Sequence, residues 1–203
     1  MKSLHLVLLL LVLAMAVPFA AADTIVTFTL TNTNLTGVSN IGTVKLDQLT
    51  SGGVEVTLTA NAGYSFKLGN GGGILFNTNG LVPSISNIVI DSKSYGGSFN
   101  LKTNQNRAGF GRFSYDLSGL TLKHGYVSAT TISFFISNAT LADFQPYKWG
   151  VHFCVGGGTG CGTGRTGWAS NGPPSTVPEP GTLSLLGTGI LGLAGFFRRR
   201  LLS

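Results

Sequence analysis

The middle of this sequence predicts an all-β fold, an antiparallel β-sandwich or jelly roll. Three observations predict it. Apolar and polar residues alternate with period two in one run after another. Clusters of Gly, Asn and Ser separate the runs at short intervals. No stretch between them shows the 3.6-residue period of an amphipathic helix.

The runs justify the strands one by one. Val26, Phe28 and Leu30 alternate with Thr27, Thr29 and Thr31. Val54, Val56, Leu58 and Ala60 alternate with Glu55, Thr57, Thr59 and Asn61. Ile132, Phe134 and Ile136 alternate with Ser133, Phe135 and Ser137, and Trp149, Val151, Phe153 and Val155 with Gly150, His152 and Cys154. Each run reads as a strand with one buried and one wetter face. Ser51-Gly52-Gly53 reads as a hairpin turn. Asn70 to Gly73, Asn77 to Gly80, Tyr95 to Gly97 and Asn104 to Gly109 read as loops. Thr140 to Phe144 has the look of a single helical turn. Ten phenylalanines between Phe28 and Phe153 are enough to fill a core between two sheets.

The ends have a different composition. Met1-Lys2-Ser3 is a short positive start, Leu4 to Val17 is apolar except for His5, and small residues follow at Ala20-Ala21-Ala22. This is the three-part layout of a secretory signal, residues 1–22. Signal peptidase would read Ala20 and Ala22 and leave Asp23 as the first mature residue. At the other end Gly181 to Phe197 is free of charge and is followed by Arg198-Arg199-Arg200. As a helix this segment would rise about 25 Å, close to the least that crosses a bilayer core. The arginines would act as the stop on the cytoplasmic side. The expected organisation is a signal peptide over 1–22, an exported β domain over 23–168, a Gly/Ser/Pro linker over 169–180, and a transmembrane helix with basic tail over 181–203.

Val177-Pro178-Glu179-Pro180 stands just before that span. Two prolines around one residue keep the segment extended and out of a helix. This motif, the apolar span and the terminal arginines together resemble the PEP-CTERM sorting signal. The resemblance implies a Gram-negative host that makes exopolysaccharide, and processing near the motif by an exosortase-type transpeptidase. It implies passage through the inner membrane to the cell envelope, outer surface or extracellular matrix. The family is defined by its tail, so it assigns no activity to the β domain.

Charge and motifs narrow the remaining classes. The chain has 203 residues, 43% hydrophobic and 10% charged, which excludes a coiled coil and a charged disordered chain. Between Asp23 and Val177 nine basic residues face six acidic ones with no basic cluster, so no nucleic-acid partner is expected. Cys154 and Cys161 are an even pair in an exported chain, and a disulfide is expected. The alternative is a metal site with His152, which shares a strand face with Cys154, but His124 is the domain's one other histidine and no metal is expected. Gly162 to Gly167 spells G-x-G-x-x-G, but Gly172-Pro173-Pro174 close behind cannot open the helix that a dinucleotide site needs.

No catalytic residues and no cofactor are expected. Asp23, Asp47, Glu55, Asp91, Asp116 and Asp143 include no close pair in sequence, although they could still meet in space. Asp91 and Asp116 are the candidates for a calcium ion, but without a D-x-D-x-D spacing they read as solvated surface acids. The tyrosines and tryptophans include candidates for stacking on sugar rings. Trp149 shares the face of Val151 and Phe153 and reads as core; Trp168, in Gly-rich surroundings, is the candidate glycan contact. The first reading is a non-enzymatic exported protein with a structural or adhesive role among exopolysaccharide. The alternatives are a carbohydrate-binding module with a defined glycan and a secreted hydrolase.

Overall fold

The structure, a computed structural model, describes residues 24–69, 71–107, 109–120, 128–156, 161, 164–171 and 175–176. The expected signal peptide, the Val177 to Pro180 motif, the apolar span and the terminal arginines lie outside them. No helix among the described residues is long and apolar enough to cross a membrane.

The fold is all-β and antiparallel. Fourteen strands are described: β1 (Thr24–Thr33), β2 (Gly42–Gln48), β3 (Val54–Ala60), β4 (Tyr64–Lys67), β5 (Gly73–Phe76), β6 (Ser84–Ile90), β7 (Lys93–Ser94), β8 (Asn100–Arg107), β9 (Gly111–Ser118), β10 (Ser128–Ala129), β11 (Thr131–Ser137), β12 (Trp149–Val155), β13 (Thr166–Asn171) and β14 (Ser175–Thr176). A single 3-10 turn, Leu141–Phe144, stands at the position of the expected helical turn.

Eleven of the strands form one continuous path, β7-β6-β11-β3-β2-β1-β13-β12-β5-β9-β8, rather than two separate sheets, and β4, β10 and β14 pair beside it, β4 with β12 and β10, and β14 with β1. β1 joins the halves of the path. Its first part, Thr24 to Thr29, pairs with β2, and its end, from Leu30, pairs with β13. The register shifts between Leu30 and Asn32, a bulge that bends the strand from one half of the sheet to the other. The curled sheet encloses a core of Phe28, Leu46, Val56, Phe66, Phe76, Phe134, Phe144, Trp149 and Phe153, with their neighbours. At its centre Phe76 stacks on Trp149 with centroids 5.0 Å apart, and Phe144 leans on both.

The period-two readings hold on this inner face. Val26, Phe28 and Leu30, Val54, Val56 and Leu58, and Ile132, Phe134 and Ile136 are all buried. The β2–β3 hairpin turns where expected: Gly52 and Gly53 have φ of 91° and 87°, and Leu49 N–H donates to Gly53 O. Gly53 also makes room for Phe135, because a Cβ there would lie 2.3 Å from that ring.

Four expectations need correction. β12 has no wet face, since Gly150, His152 and Cys154 are as buried as their alternating partners. Asn104 to Gly109 is not one loop, since β8 continues to Arg107, with Asn104 taking a left-handed φ of 52° inside it. Residues 169–171 are not linker: they complete β13, and Ala169 belongs to the core. Asn171 closes that end by accepting from Trp149 N–H and donating to Tyr147 O, both at 2.8 Å. Finally, Phe113 is buried but stands apart from the main core, over Gly150, whose absent Cβ would come within 3.2 Å of its ring.

The last correction explains the first. The β8–β9 hairpin curls back over the outer surface of β12 and β13, so its residues bury a second, smaller layer. A backbone that begins at one edge of the path thereby meets strands several positions away.

Candidate functional site

Four side chains from four strands meet under the curled hairpin. His152 on β12 and Trp168 on β13 are cross-strand partners. Their rings stack at 4.7 Å with planes 9° apart. Arg107, at the end of β8, places its guanidinium carbon 4.7 Å from the Trp168 ring centroid. The same guanidinium holds Asp116 of β9 at 2.5 Å.

Asp116 is almost fully buried, and Arg107 is about a quarter exposed. Burial raises the Asp116 carboxyl above its ordinary value, while Arg107 and Lys102 pull it back down. The carboxylate fits only because residue 73 is glycine: a Cβ there would lie 2.0 Å from Asp116 Oδ1. Oδ1 and Arg107 Nε have no protein hydrogen-bond partner. The pair is therefore a pin whose ends are not all tied, and its role is to place the hairpin.

His152 is buried and neutral. Desolvation lowers it to about 4, with the positive charges of Lys67 and Arg107 adding to the effect and the Gly71 bond opposing it. Its Nδ1 lies 3.0 Å from Gly71 O; a carbonyl only accepts, so Nδ1 carries the proton and donates. The ring thus ties the β4–β5 connection to the face of β12.

Trp168 is held from its backbone as well. Asn34 Oδ1 accepts from Trp168 N–H at 2.8 Å, and Asn34 N–H donates to Trp168 O at 3.1 Å. Gly167 allows this approach, because a Cβ there would lie 2.6 Å from Asn34 Oδ1. Trp168 is thus not in a loop, as its composition suggested; it lies in a paired strand, with its ring engaged by His152 and Arg107.

Two cavities flank the curled hairpin. One, of about 620 Å³, lies between the end of β1 and the hairpin tip, lined by Thr31, Asn32, Asn34, Phe110 and Ser170 among others. The other, of about 420 Å³, lies on the hairpin's far flank and includes Asn77, Thr103, Asn104, Arg112 and Tyr115. Both are polar, and both fall within the size of small-molecule sites, roughly 300–1,000 Å³.

The remaining sequence candidates fall elsewhere. Cys154 and Cys161 are joined in a disulfide, Cα atoms 5.6 Å apart, which ties β12 to the Gly-rich segment. Among the described residues no three of His, Cys, Asp and Glu come together as a metal site. Trp149 is core. Tyr64, Tyr95, Tyr115 and Tyr147 are partly buried against the core, three of them in ring contacts with Phe153, Phe76 and Phe28. Tyr126 and His124 lie outside the described residues.

The acids behave less uniformly than expected. Asp116 is buried and ion-paired. Asp91, in the two-residue turn between β6 and β7 where φ is positive at both positions, accepts from Thr130 N–H, Thr130 Oγ1 and Thr131 N–H. Asp47 and Glu55, eight residues apart on the two arms of one hairpin, are direct cross-strand partners on β2 and β3. Asp47 pairs with Lys45 at 2.7 Å, and neither acid lines the two cavities described above. Arg107 and Phe110 were not legible as site residues, and Asp116 was legible only as one of the domain's acids. His152 left a signal in the strand face it shares with Cys154, and Trp168 left one in its residue type.

The chain leaves this domain beside its own beginning. β14 pairs with β1 at Val26↔Thr176 and Thr27↔Ser175. The segment after Thr176 thus starts at the opposite end of β1 from the larger cavity. No curated protein and no solved structure matches this chain. The family model for the PEP-CTERM protein-sorting motif matches residues 176–200. That signal implies export to the cell envelope and processing by an exosortase-type enzyme. The chain carries a PEP-CTERM protein-sorting signal, which begins at the last residue of β14.

Proposed function

We propose that this is a non-enzymatic component of the cell surface or extracellular matrix. Its β domain has a structural or adhesive role among exopolysaccharide, and its tail serves as an address. The observation that carries the reading is the sorting signal joined directly to a disulfide-tied β domain. Cleavage after Ala22 by signal peptidase, transient anchoring by 181–203 with Arg198 to Arg200 as the stop, and processing near Pro178-Glu179-Pro180 complete the route.

Intact-mass measurement of the protein from its host, by cell fraction, tests it. A mass that starts at Asp23 and ends near the motif, in the surface or medium fraction, is expected. A mass that runs to Ser203 in the inner membrane would sink the sorting route and leave a single-pass anchored protein.

A second reading, a carbohydrate-binding module, is favoured by the larger cavity, whose walls carry amides, hydroxyls and one aromatic ring beside Val38 and Gly109. A hydrolase has less support. The facing acids Asp47 and Glu55 sit on adjacent strands with Lys45 paired to one of them. Catalysis of glycoside hydrolysis needs two carboxyls across a bound sugar.

A further inference from the structure

We infer that the cavity between the end of β1 and the tip of the β8–β9 hairpin binds a segment of neutral polysaccharide. Phe110 is its stacking platform, and the amides of Asn32 and Asn34 read hydroxyls. This rests on the reading that the domain works within a polysaccharide layer, and it names the site that would do so.

The chemistry of the walls carries the argument. None of the residues that line this cavity is charged. An anionic ligand would be desolvated there without a cation to meet it, so the fitting ligand is neutral and rich in hydroxyls. The two amides are complementary. Asn34 Oδ1 is taken by Trp168 N–H, which leaves its Nδ2 donors for a ligand. Asn32 Nδ2 donates to Asn171 O at 3.3 Å, which leaves its Oδ1 as an acceptor. Both orientations are set by partners that can only donate or only accept. A sugar hydroxyl does both, so one wall offers each half of what it needs. Phe110 adds an apolar ring, half-buried at the hairpin tip, of the kind that packs against the C–H face of a pyranose.

The walls are also held in place before any ligand arrives. One is the end of β1, tied to Trp168 through Asn34. The other is the hairpin tip. Phe110 N–H donates to Arg107 O, and Arg107 rests on the Trp168 ring and grips Asp116. Both walls therefore refer to one residue, and a groove set in advance loses less on binding. Trp168 is accordingly a positioning residue for the groove rather than a sugar platform. The groove is well placed for a tethered protein. Asn32 lies about 20 Å along β1 from Val26, where Thr176 pairs and the sorting segment departs. The groove and the Thr176 pairing thus stand at opposite ends of β1.

The test is binding of the full-length chain, in a sugar-free detergent, to immobilised neutral oligosaccharides (glucan, mannan and galactan) and to a polyuronate. Saturable binding to at least one neutral oligosaccharide is expected. Phe110→Ala should weaken it about tenfold. Asn32→Ala, an exposed position with one long hydrogen bond, should weaken it about threefold with the melting temperature unchanged. No binding to any neutral oligosaccharide, binding to the polyuronate alone, or parental affinity in both variants overturns the assignment. The two readings fail separately. Matrix localisation without glycan binding removes the groove and keeps the surface role; glycan binding by a protein confined to the inner membrane does the reverse.

Discussion

The two faces of β12 set the domain's inner core against its outer layer. On the inner face Trp149, Val151 and Phe153 join an apolar cluster built from strands of both halves of the sheet. On the outer face Gly150, His152 and Cys154 are buried just as deeply, but among a ring stack, an ion pair and a disulfide. Burial depth is equal and chemistry is not. The inner face is held by area removed from water, which outweighs even the buried Trp149 Nε1, a donor with no hydrogen-bond partner. The outer face is held by directional contacts that fix one hairpin over another strand pair. The first makes the fold stable, and the second gives it a groove.

The largest test of this contrast strikes the inner face. Trp149→Ala removes a fully buried ring that stacks on Phe76 and packs against Phe144, and should cost about 3–5 kcal/mol by chemical denaturation. A loss under about 1 kcal/mol would mean that the two faces do not differ as described.

Next comes the outer face, through pH. His152 is lowered in the fold from 6.5 to about 4. The folded state therefore favours the neutral ring, and this stability is fully present above pH 6.5. It is lost as pH falls toward 4, to the extent of about 2–3 kcal/mol. Asp116 acts in the opposite sense, because its raised carboxyl regains stability as it is protonated in acid. Denaturation midpoints measured from pH 7.5 to 4 should fall, and His152→Gln should flatten the curve. An unchanged slope in that variant would place the sensitivity elsewhere.

Trp168→Ala is expected to cost less, about 1–2 kcal/mol, because it removes a ring stack and a cation contact on a partly exposed side chain. It should also raise hydrogen exchange in the β8–β9 hairpin while leaving β2, β3 and β11 protected. Uniform loosening across both halves would show that the outer layer is not a separate unit. The smallest effect belongs to a single ion pair on β2. Lys45→Ala breaks its half-buried pair with Asp47 and should change stability by under about 1 kcal/mol.

The faces also differ in how far the sequence reveals them. The strands with one wet face are legible, β1, β3 and β11, because alternation records which side meets water. β8 is not. Asn100 to Arg107 carries almost no apolar signal, since its strand state is imposed by pairing with β9 and not by burial. Trp168 stands out by residue type alone, and the Gly-rich spelling around it suggests a loop. Gly167 is in fact the clearance that lets Asn34 approach a strand.

By itself the sequence determined the all-β class, the inner-face residues of its clearest strands, the cysteine pairing, and the sorting signal that residues 176–200 match. Each is a local property, written in period, spacing or a contiguous motif. Only the tertiary structure decided that the sheet is one curled path, that its β8–β9 end folds over β12 and β13, and that Arg107, Asp116, His152 and Trp168 meet there. The contacts that bring the β8–β9 hairpin onto β12 and β13 join residues far apart in the chain, Arg107 and Trp168 above all. They depend on the bend at the β1 bulge and the curl of the sheet, neither of which any single strand encodes.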